Sequence, residues 1–568
     1  MVNDVSNTAV DDDNVTSTQS EQGSAPGSAY NLATIFEAAV DQFADREYIV
    51  AQGKRCTYAE MDQRANRLAH HLAAQGIGPG DHVGIYAYNC IEWVEALWAI
   101  FKLRAVWINI NYRYVEDELK YIFDNADLKA LIYQQQFSQR VANVRASMPL
   151  LRHLIALDDG SGAPDAGLDA VAYEEALAGQ SPARDFGPRS GDDLYMLYTG
   201  GTTGMPKAVM WRHQDVFYAL GGGINQSTGD IVNDPQEVLD RGNAFAMCML
   251  PAAPLMHGAT QWAVMGGAFE GRKLVLVPHF DAGEVWQLVE QEKINGLFIT
   301  GDAMGRPLIE TWDTMAPRPD ASSLFLLVSS AVVFSPASKD QFLEHFPNLM
   351  LLDSMGSSET GGTGMLVVEK GKTDMRGGPT VKPGPGSVVL DPETLVPLEP
   401  GSETVGVLAT TGYIPLGYYK DKEKTAKTFV TAADGTRYAI PGDHAMVETD
   451  GTVTVLGRGS VCINSGGEKI FPEEVESAVK SHPDVFDVTV VGVPDERWGS
   501  TVAAVVEPRP GKTPTLEAVQ AHCREHIAGY KVPRLLRLVD KIERSPSGKP
   551  DYRWAREMAE VERSDAAS

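Results

Sequence analysis

Leu197-Tyr-Thr-Gly-Gly-Thr-Thr-Gly-Met-Pro-Lys207 closes a β-rich run that begins at Leu194. Gly200, Gly201 and Gly204 let backbone N–H groups approach an anion closely. Thr199, Thr202 and Thr203 add hydroxyl donors, and Lys207 adds a positive charge. By composition this is a phosphate cradle. It is not a Walker A loop, which needs an adjacent Gly-Lys, then Ser or Thr, then a helix. Here Pro206 precedes the lysine, and Ala208 to Met210 reads as a returning strand. The plain alternative is a flexible Gly/Thr hairpin.

Upstream, strands and helices alternate. Thr57 and Glu60 are spaced as a capping box ahead of the apolar stripe Met61, Ala65, Leu68 and Leu72. Val83 to Ala87, Val106 to Ile110 and Ala130 to Tyr133 read as strands. Ile91 to Phe101 reads as a buried helix, and Glu116 to Asn125 as another. This order implies parallel βαβ units. Gly160–Asp169 and Ser181–Ser190 read as loops, and Gly221–Asn243 as a polar excursion.

Downstream, a second α/β region runs to about Asp353, and Gly377–Gly386 is dense in Gly and Pro. A strand-rich stretch follows, with turns at Asp434-Gly435 and Asp450-Gly451. From Gly457 the chain changes character. Val488 to Val493 and Val502 to Val506 read as strands, and Leu516 to Ile527 as a helix, enough for a small α+β domain.

The chain has 568 residues, 43% of them hydrophobic and 22% charged, which is normal for a soluble protein of two or more domains. A net charge of -27 argues against nucleic-acid binding and against a polybasic membrane role. Five scattered cysteines with no C-x-x-C pair fit free thiols in a reducing compartment. Residues 1–28 are polar, lack the regions of a signal peptide and read as a disordered tail. No apolar run is long enough to span a membrane, so a cytoplasmic protein is the simplest expectation.

Four further segments stand in order along the chain: Asp353-Ser-Met-Gly-Ser-Ser-Glu-Thr-Gly361, Tyr438-Ala-Ile-Pro-Gly-Asp443, Leu456 to Glu476, and Ser545-Pro-Ser-Gly-Lys549. Each taken alone has an ordinary reading, such as a solvated carboxylate, a common turn or a surface lysine. With Tyr198 to Lys207 they match the ordered signatures of the adenylate-forming enzymes: acyl-CoA synthetases, peptide-synthetase adenylation domains and beetle luciferases. The resemblance runs from about Tyr30 to near the C-terminus.

The resemblance implies an α/β fold. A large N-terminal domain of stacked α/β subdomains plus a β-rich subdomain (residues 29–456) precedes a small mobile C-terminal α+β domain (457–568), with a hinge near 457–462. It also implies ATP, Mg²⁺ and CoA as cofactors and a small carboxylic acid as substrate. The ATP site then comprises the loop 199–204, Lys207, Ser330, Ala331, Ser354, Met355, Gly356, Ser357, Ser358, Asp443, Arg458 and Lys549. Met355 stands where the family usually stacks an aromatic on adenine. Glu359 and Thr202 are the expected Mg²⁺ ligands, Asp443 the ribose acceptor and Lys549 the catalytic cation. Ser460 occupies the hinge position, which usually holds Asp or Lys. Gly466, Gly467 and Glu468 line the CoA route.

Pro251-Ala-Ala-Pro-Leu-Met-His-Gly-Ala-Thr260 resembles the segment that borders the acyl pocket, with His257, Gly258 and Trp262 as its residues. No aspartate lies between Leu255 and Trp262 to hold an α-amino group. The whole looks like actinobacterial synthetases acting on bulky acids, either sterol side-chain carboxylates or medium- to long-chain fatty acids. The alternatives are an acyl-AMP ligase that loads a carrier protein, or a non-catalytic nucleotide-binding protein. The resemblance is also compatible with a homodimer.

Overall fold

A computed structural model describes residues 29–199, 205–332, 334–371, 379–465, 468–495, 499–544 and 549–565. The tail at 1–28 and the phosphate-loop residues Gly200, Gly201, Thr202, Thr203 and Gly204 lie outside the described residues. So do Gly466, Gly467, Ser545–Gly548 and the side chains of Arg458 and Ser460.

An eight-stranded sheet contains the two strands on either side of residues 199–207. In spatial order its strands are Gly417–Tyr418, Ala208–Arg212, Leu194–Tyr198, Val106–Asn109, His82–Tyr86, Leu128–Gln134, His153–Leu157 and Val171–Ala172. From Leu194–Tyr198 to Val171–Ala172 every pairing is parallel, as the βαβ pattern required. The helices Ile91–Lys102 and Glu116–Asn125 supply crossovers. Thr57 caps Tyr58–Ala74 with both arms of the capping box formed.

A second sheet starts with Lys54–Thr57 antiparallel to Glu47–Ala51 and then runs parallel through Lys273–Leu276, Cys248–Pro251, Gly296–Ile299, Leu326–Ser329 and Met350–Ser357. It continues antiparallel through Gly361–Val367 and Thr380–Pro383 into the β-rich region. The main core joins both sheets. Ile49 and Leu274 come from one sheet, Val83 and Trp107 from the other, and Trp93, Leu97 and Trp98 of the helix Ile91–Lys102 belong to the same cluster. Phe36 stacks on Trp98 at 4.1 Å. Burying such side chains is the main stabilising term, about 25 cal/mol per Å² of apolar surface.

The C-terminal residues build a separate sheet, Val485–Asp495, Gly499–Pro508 and Leu535–Leu538. Its own core gathers Val475, Val488, Val490, Val502, Ala504 and Val506. Helix Pro472–Lys480 packs on it and starts with proline in its first turn, where a missing N–H costs nothing.

Two expectations change. The excursion 221–243 carries a helix, Gln236–Ala244, which buries only Val238, Leu239 and Gly242, so its polar face hid it. The helix starting at Leu516 stops at Cys523, four residues short of Ile527. None of the five cysteines forms a disulfide. Among the described residues no helix is long and apolar enough to cross a membrane.

Candidate active site

The phosphate-loop strands form an antiparallel pair, Leu194↔Arg212 through Tyr198↔Ala208. The pair ends with the Thr199 N–H donating to the Lys207 carbonyl at 2.9 Å. Thr199 and Lys207 therefore stand side by side at the base of the glycine loop. The Lys207 ammonium pairs with Asp421, which also caps helix Lys422–Thr428 by accepting from the Lys424 N–H. The lysine's hydrogen bond holds the Asp421 carboxyl below its ordinary range.

Buried amides fix this hairpin to its surroundings. Asn109 accepts from the Tyr198 N–H at 2.8 Å and donates to the carbonyls of Tyr198 (3.0 Å) and Met256 (2.7 Å). One side chain thus ties the phosphate-loop strand to the segment 251–258. Asn89, from the next strand end, ties the same segment to Val277, accepting from the Leu255 N–H and donating to the Val277 carbonyl. Trp211 Nε1 donates to the Ser358 carbonyl at 3.0 Å, joining the returning strand to the segment 353–361. The Tyr418 hydroxyl donates to Glu359 Oε1 at 2.8 Å. Asn109, Asn89, Trp211 and Tyr418 had no local sequence signature.

A cavity of about 650 Å³ opens between the ends of strands Leu326–Ser329 and Met350–Ser357, the β-rich region and helix Pro472–Lys480. Ala331, Ser354 to Ser357, Asp443 and Lys549 all line it, so four sequence segments converge there. Ala331 sits in the left-handed region at φ 70, rare for a residue with a side chain. Its neighbours close a tight turn, Val332 N–H to the Ser330 carbonyl at 2.8 Å. Gly442 supplies the φ of 101 that turns Pro441-Gly442-Asp443 back into a strand. On that strand Asp443 is the direct cross-strand partner of Arg458. Ser460 falls in a short 3₁₀ turn, Gly459–Val461, directly after this strand. Glu468 begins a strand paired with Ile463–Ser465.

His257, Gly258 and Trp262 do not line this cavity among its described residues; they form the start of helix Gly258–Phe269 beside it. A Cβ on Gly258 would meet Leu197 at 2.5 Å and the Trp262 ring at 2.9 Å, so an added methyl forces these side chains to shift. Burial, with the positive charges of Lys549 and Arg113 adding, pushes the His257 ring down to about 3. The Lys549 charge therefore acts on the segment 251–258 as well as on the cavity. His257 Nε2 and Trp262 Nε1 are buried with no protein partner among the described residues.

The donor set fits a nucleotide and a hard divalent cation. In the cavity Asp443 offers an acceptor, Met355 an apolar face and Lys549 a cation; Glu359, which accepts from Tyr418 and is not in the lining, is a carboxylate of the kind Mg²⁺ binds.

Comparison with known proteins agrees. The AMP-binding enzyme family matches residues 36–419, and the AMP-binding enzyme C-terminal domain matches 474–549. The chain belongs to the AMP-binding enzyme family. It is 52% identical over 542 residues to the 3-oxocholest-4-en-26-oate--CoA ligase of Rhodococcus rhodochrous, covering 94% of this chain and 97% of that one. It is 51% identical to a medium/long-chain-fatty-acid--CoA/3-oxocholest-4-en-26-oate--CoA ligase of Mycobacterium marinum, covering 94% and 98%. The anthranilate CoA ligase AuaEII with anthranoyl-AMP shares the fold, with a TM-score of 0.81 at 22% identity over 94% of this chain and 98% of that one.

Proposed function

We propose that this chain, an AMP-forming acyl-CoA ligase, activates a bulky apolar carboxylic acid: a steroid side-chain carboxylate or a medium- to long-chain fatty acid. The observation that carries the substrate class is the 52% identity along nearly the whole chain to a ligase named for a steroid carboxylate. The absence of an aspartate between Leu255 and Trp262 supports an acid without an α-amino group.

The first half-reaction joins the carboxylate oxygen to the α-phosphorus of ATP and releases pyrophosphate. Asp443 accepts from the ribose hydroxyls, and Met355 packs on the base with Ser330, Ala331, Ser354 and Gly356 to Ser358 around it. Lys207, the loop 199–204 and Arg458 hold phosphates. Lys549 neutralises charge growing on the α-phosphate, the largest kind of catalytic contribution in such sites. Glu359 and Thr202 would hold Mg²⁺, which supplies further charge neutralisation on the phosphates.

In the second half-reaction the CoA sulfur attacks the acyl carbon and AMP leaves. Rotation about the segment 457–462, with Ser460 in it, would withdraw Lys549 and bring in Gly466, Gly467 and Glu468. Residues 29–456 and 457–568 are the two bodies in this reading. His257, Gly258 and Trp262 border the acyl group. The enzyme works in the cytoplasm, and a homodimer is compatible with the fold.

The test is a competition. An equimolar mixture of a steroid carboxylate, a long-chain fatty acid, a short-chain acid and a benzoate is incubated with ATP and CoA, and the thioesters are separated by mass. Thioesters of the first two are expected to dominate. A product mixture dominated by the short-chain or aromatic thioester would refute the substrate class.

A further inference from the structure

A chain of charged groups runs from the large domain to the loop of Lys549. Asp302 and Arg306 lie one turn apart on helix Gly301–Thr314, and both are buried. Arg306 Nε stands 3.4 Å from Asp302 Oδ2. Asp302 Oδ1 is held from behind by the N–H and hydroxyl of Ser335, each at 3.1 Å. From the C-terminal side, Lys480 Nζ reaches to 3.7 Å from Asp302 Oδ2 and 2.9 Å from Asp487 Oδ1. The Arg306 guanidinium donates to the Phe486 carbonyl and stands 5.9 Å from its ring centroid.

The chain continues to the catalytic loop. Arg544 donates to both Asp487 oxygens, at 2.6 and 2.8 Å. Its backbone forms an isolated β-bridge with Pro550, the residue after Lys549. Displacing the Lys480–Asp487 pair therefore displaces the base of the Lys549 loop.

The contact can also come apart without stranding a charge. Asp302 keeps Arg306 and Ser335 on one side, and Lys480 keeps Asp487 on the other. A buried charge that loses its only partner is strongly destabilised, whereas here each side stays paired internally. That arrangement suits a reversible contact better than a permanent seam.

We propose that Asp302 and Arg306 are positioning residues for the first half-reaction. With Lys480 and Phe486 they form a separable catch that seats the C-terminal domain with Lys549 facing the nucleotide cavity. This rests on the acid-activation reading above. Releasing the catch lowers occupancy of the seated state and leaves the chemistry of thioester formation untouched.

The test uses the full-length enzyme and the variants Asp302→Asn, Lys480→Met and their combination, with thermal melts to confirm folding. Two rates are read: acid-dependent ATP–pyrophosphate exchange, and single-turnover thioester formation from supplied acyl-adenylate and CoA. Each single variant is expected to slow exchange by about ten- to a hundredfold while the thioester step holds or rises. The double variant should match the worse single one, because both remove one shared contact. Equal loss in both half-reactions, or no loss in exchange, overturns the catch. Absence of acid-dependent exchange in the unmodified enzyme would instead overturn the ligase reading on which it rests.

Discussion

The cavity lined by Asp443 and Lys549 and the packed segment His257 to Trp262 are built on opposite plans. The cavity gathers short polar segments from distant parts of the chain, and Ala331, Met355, Asp443 and Lys549 meet there across open space. The segment His257 to Trp262 is close-packed, with Gly258 wedged between Leu197 and the Trp262 ring and the His257 ring nitrogen buried. Chemistry in the first region depends on which groups are present. Specificity in the second depends on shape, which many residues set together. Substitutions should therefore act on rate in the cavity and on stability or substrate choice in the segment.

The largest effect is expected for Lys549→Ala. Loss of the cation should reduce acid-dependent pyrophosphate exchange by about 10²–10³-fold, with thioester formation from supplied acyl-adenylate largely retained. Equal loss of both steps would break the assignment. Next, Glu359→Gln should raise the Mg²⁺ concentration needed for half-maximal rate by about 10–100-fold, measured by titrating the metal at saturating ATP. An unchanged Mg²⁺ dependence would remove Glu359 from the metal site.

In the acyl segment, Gly258→Ala should cost about 1–3 kcal/mol of stability in urea unfolding, because the added methyl has no room. The same variant should shift preference toward smaller acids. A stable variant with an unchanged acid profile would show that this segment does not shape the pocket.

A smaller effect tests the phosphate loop. Asp421→Asn releases Lys207 from a partly exposed ion pair worth about 0–1 kcal/mol, so the KM for ATP should fall by no more than about fivefold. A rise in KM would mean that Asp421 aims the lysine rather than competing for it.

A further effect comes from outside both regions. His213 is fully buried and its Nδ1 faces the Asn31 amide and the Leu32 N–H, so the neutral ring is the one that fits. Burial pushes it down to about 4. The unfolded chain binds this proton below pH of about 6.5 while the folded chain does not until about 4, so stability falls as pH falls through that window. Replacing His213 with Asn should flatten the slope by up to about 1.4 kcal/mol per pH unit, read from urea midpoints at pH 6.5 and 5. An identical slope would contradict the buried neutral ring.

Much of this architecture was legible in the sequence because its signals are local. The strand–loop–strand around Gly200, the capping box at Thr57 and Glu60, and the buried helix from Ile91 each declare themselves within a few residues. The supporting groups were not legible. Asn109 acts on residues 89 and 147 positions away, and Tyr418 acts on Glu359 across 59. An asparagine or tyrosine of common type carries no mark of such a partner until the chain has folded. Helix Gln236–Ala244 escaped notice for a related reason: it buries too few apolar side chains to show a stripe. The loop residues Gly200 to Gly204, read as a phosphate cradle from their composition, and Gly466-Gly467, assigned from the family pattern, lie outside the described residues.

Pyrophosphate release from ATP, measured in the presence of CoA over short, medium and long fatty acids, benzoates, amino acids and steroid carboxylates, tests the central claim most directly. The expected result is release driven by a steroid carboxylate or a medium- to long-chain fatty acid and lost in Lys549→Ala. Release driven only by small acids or amino acids, or no release above background with any acid, would contradict it.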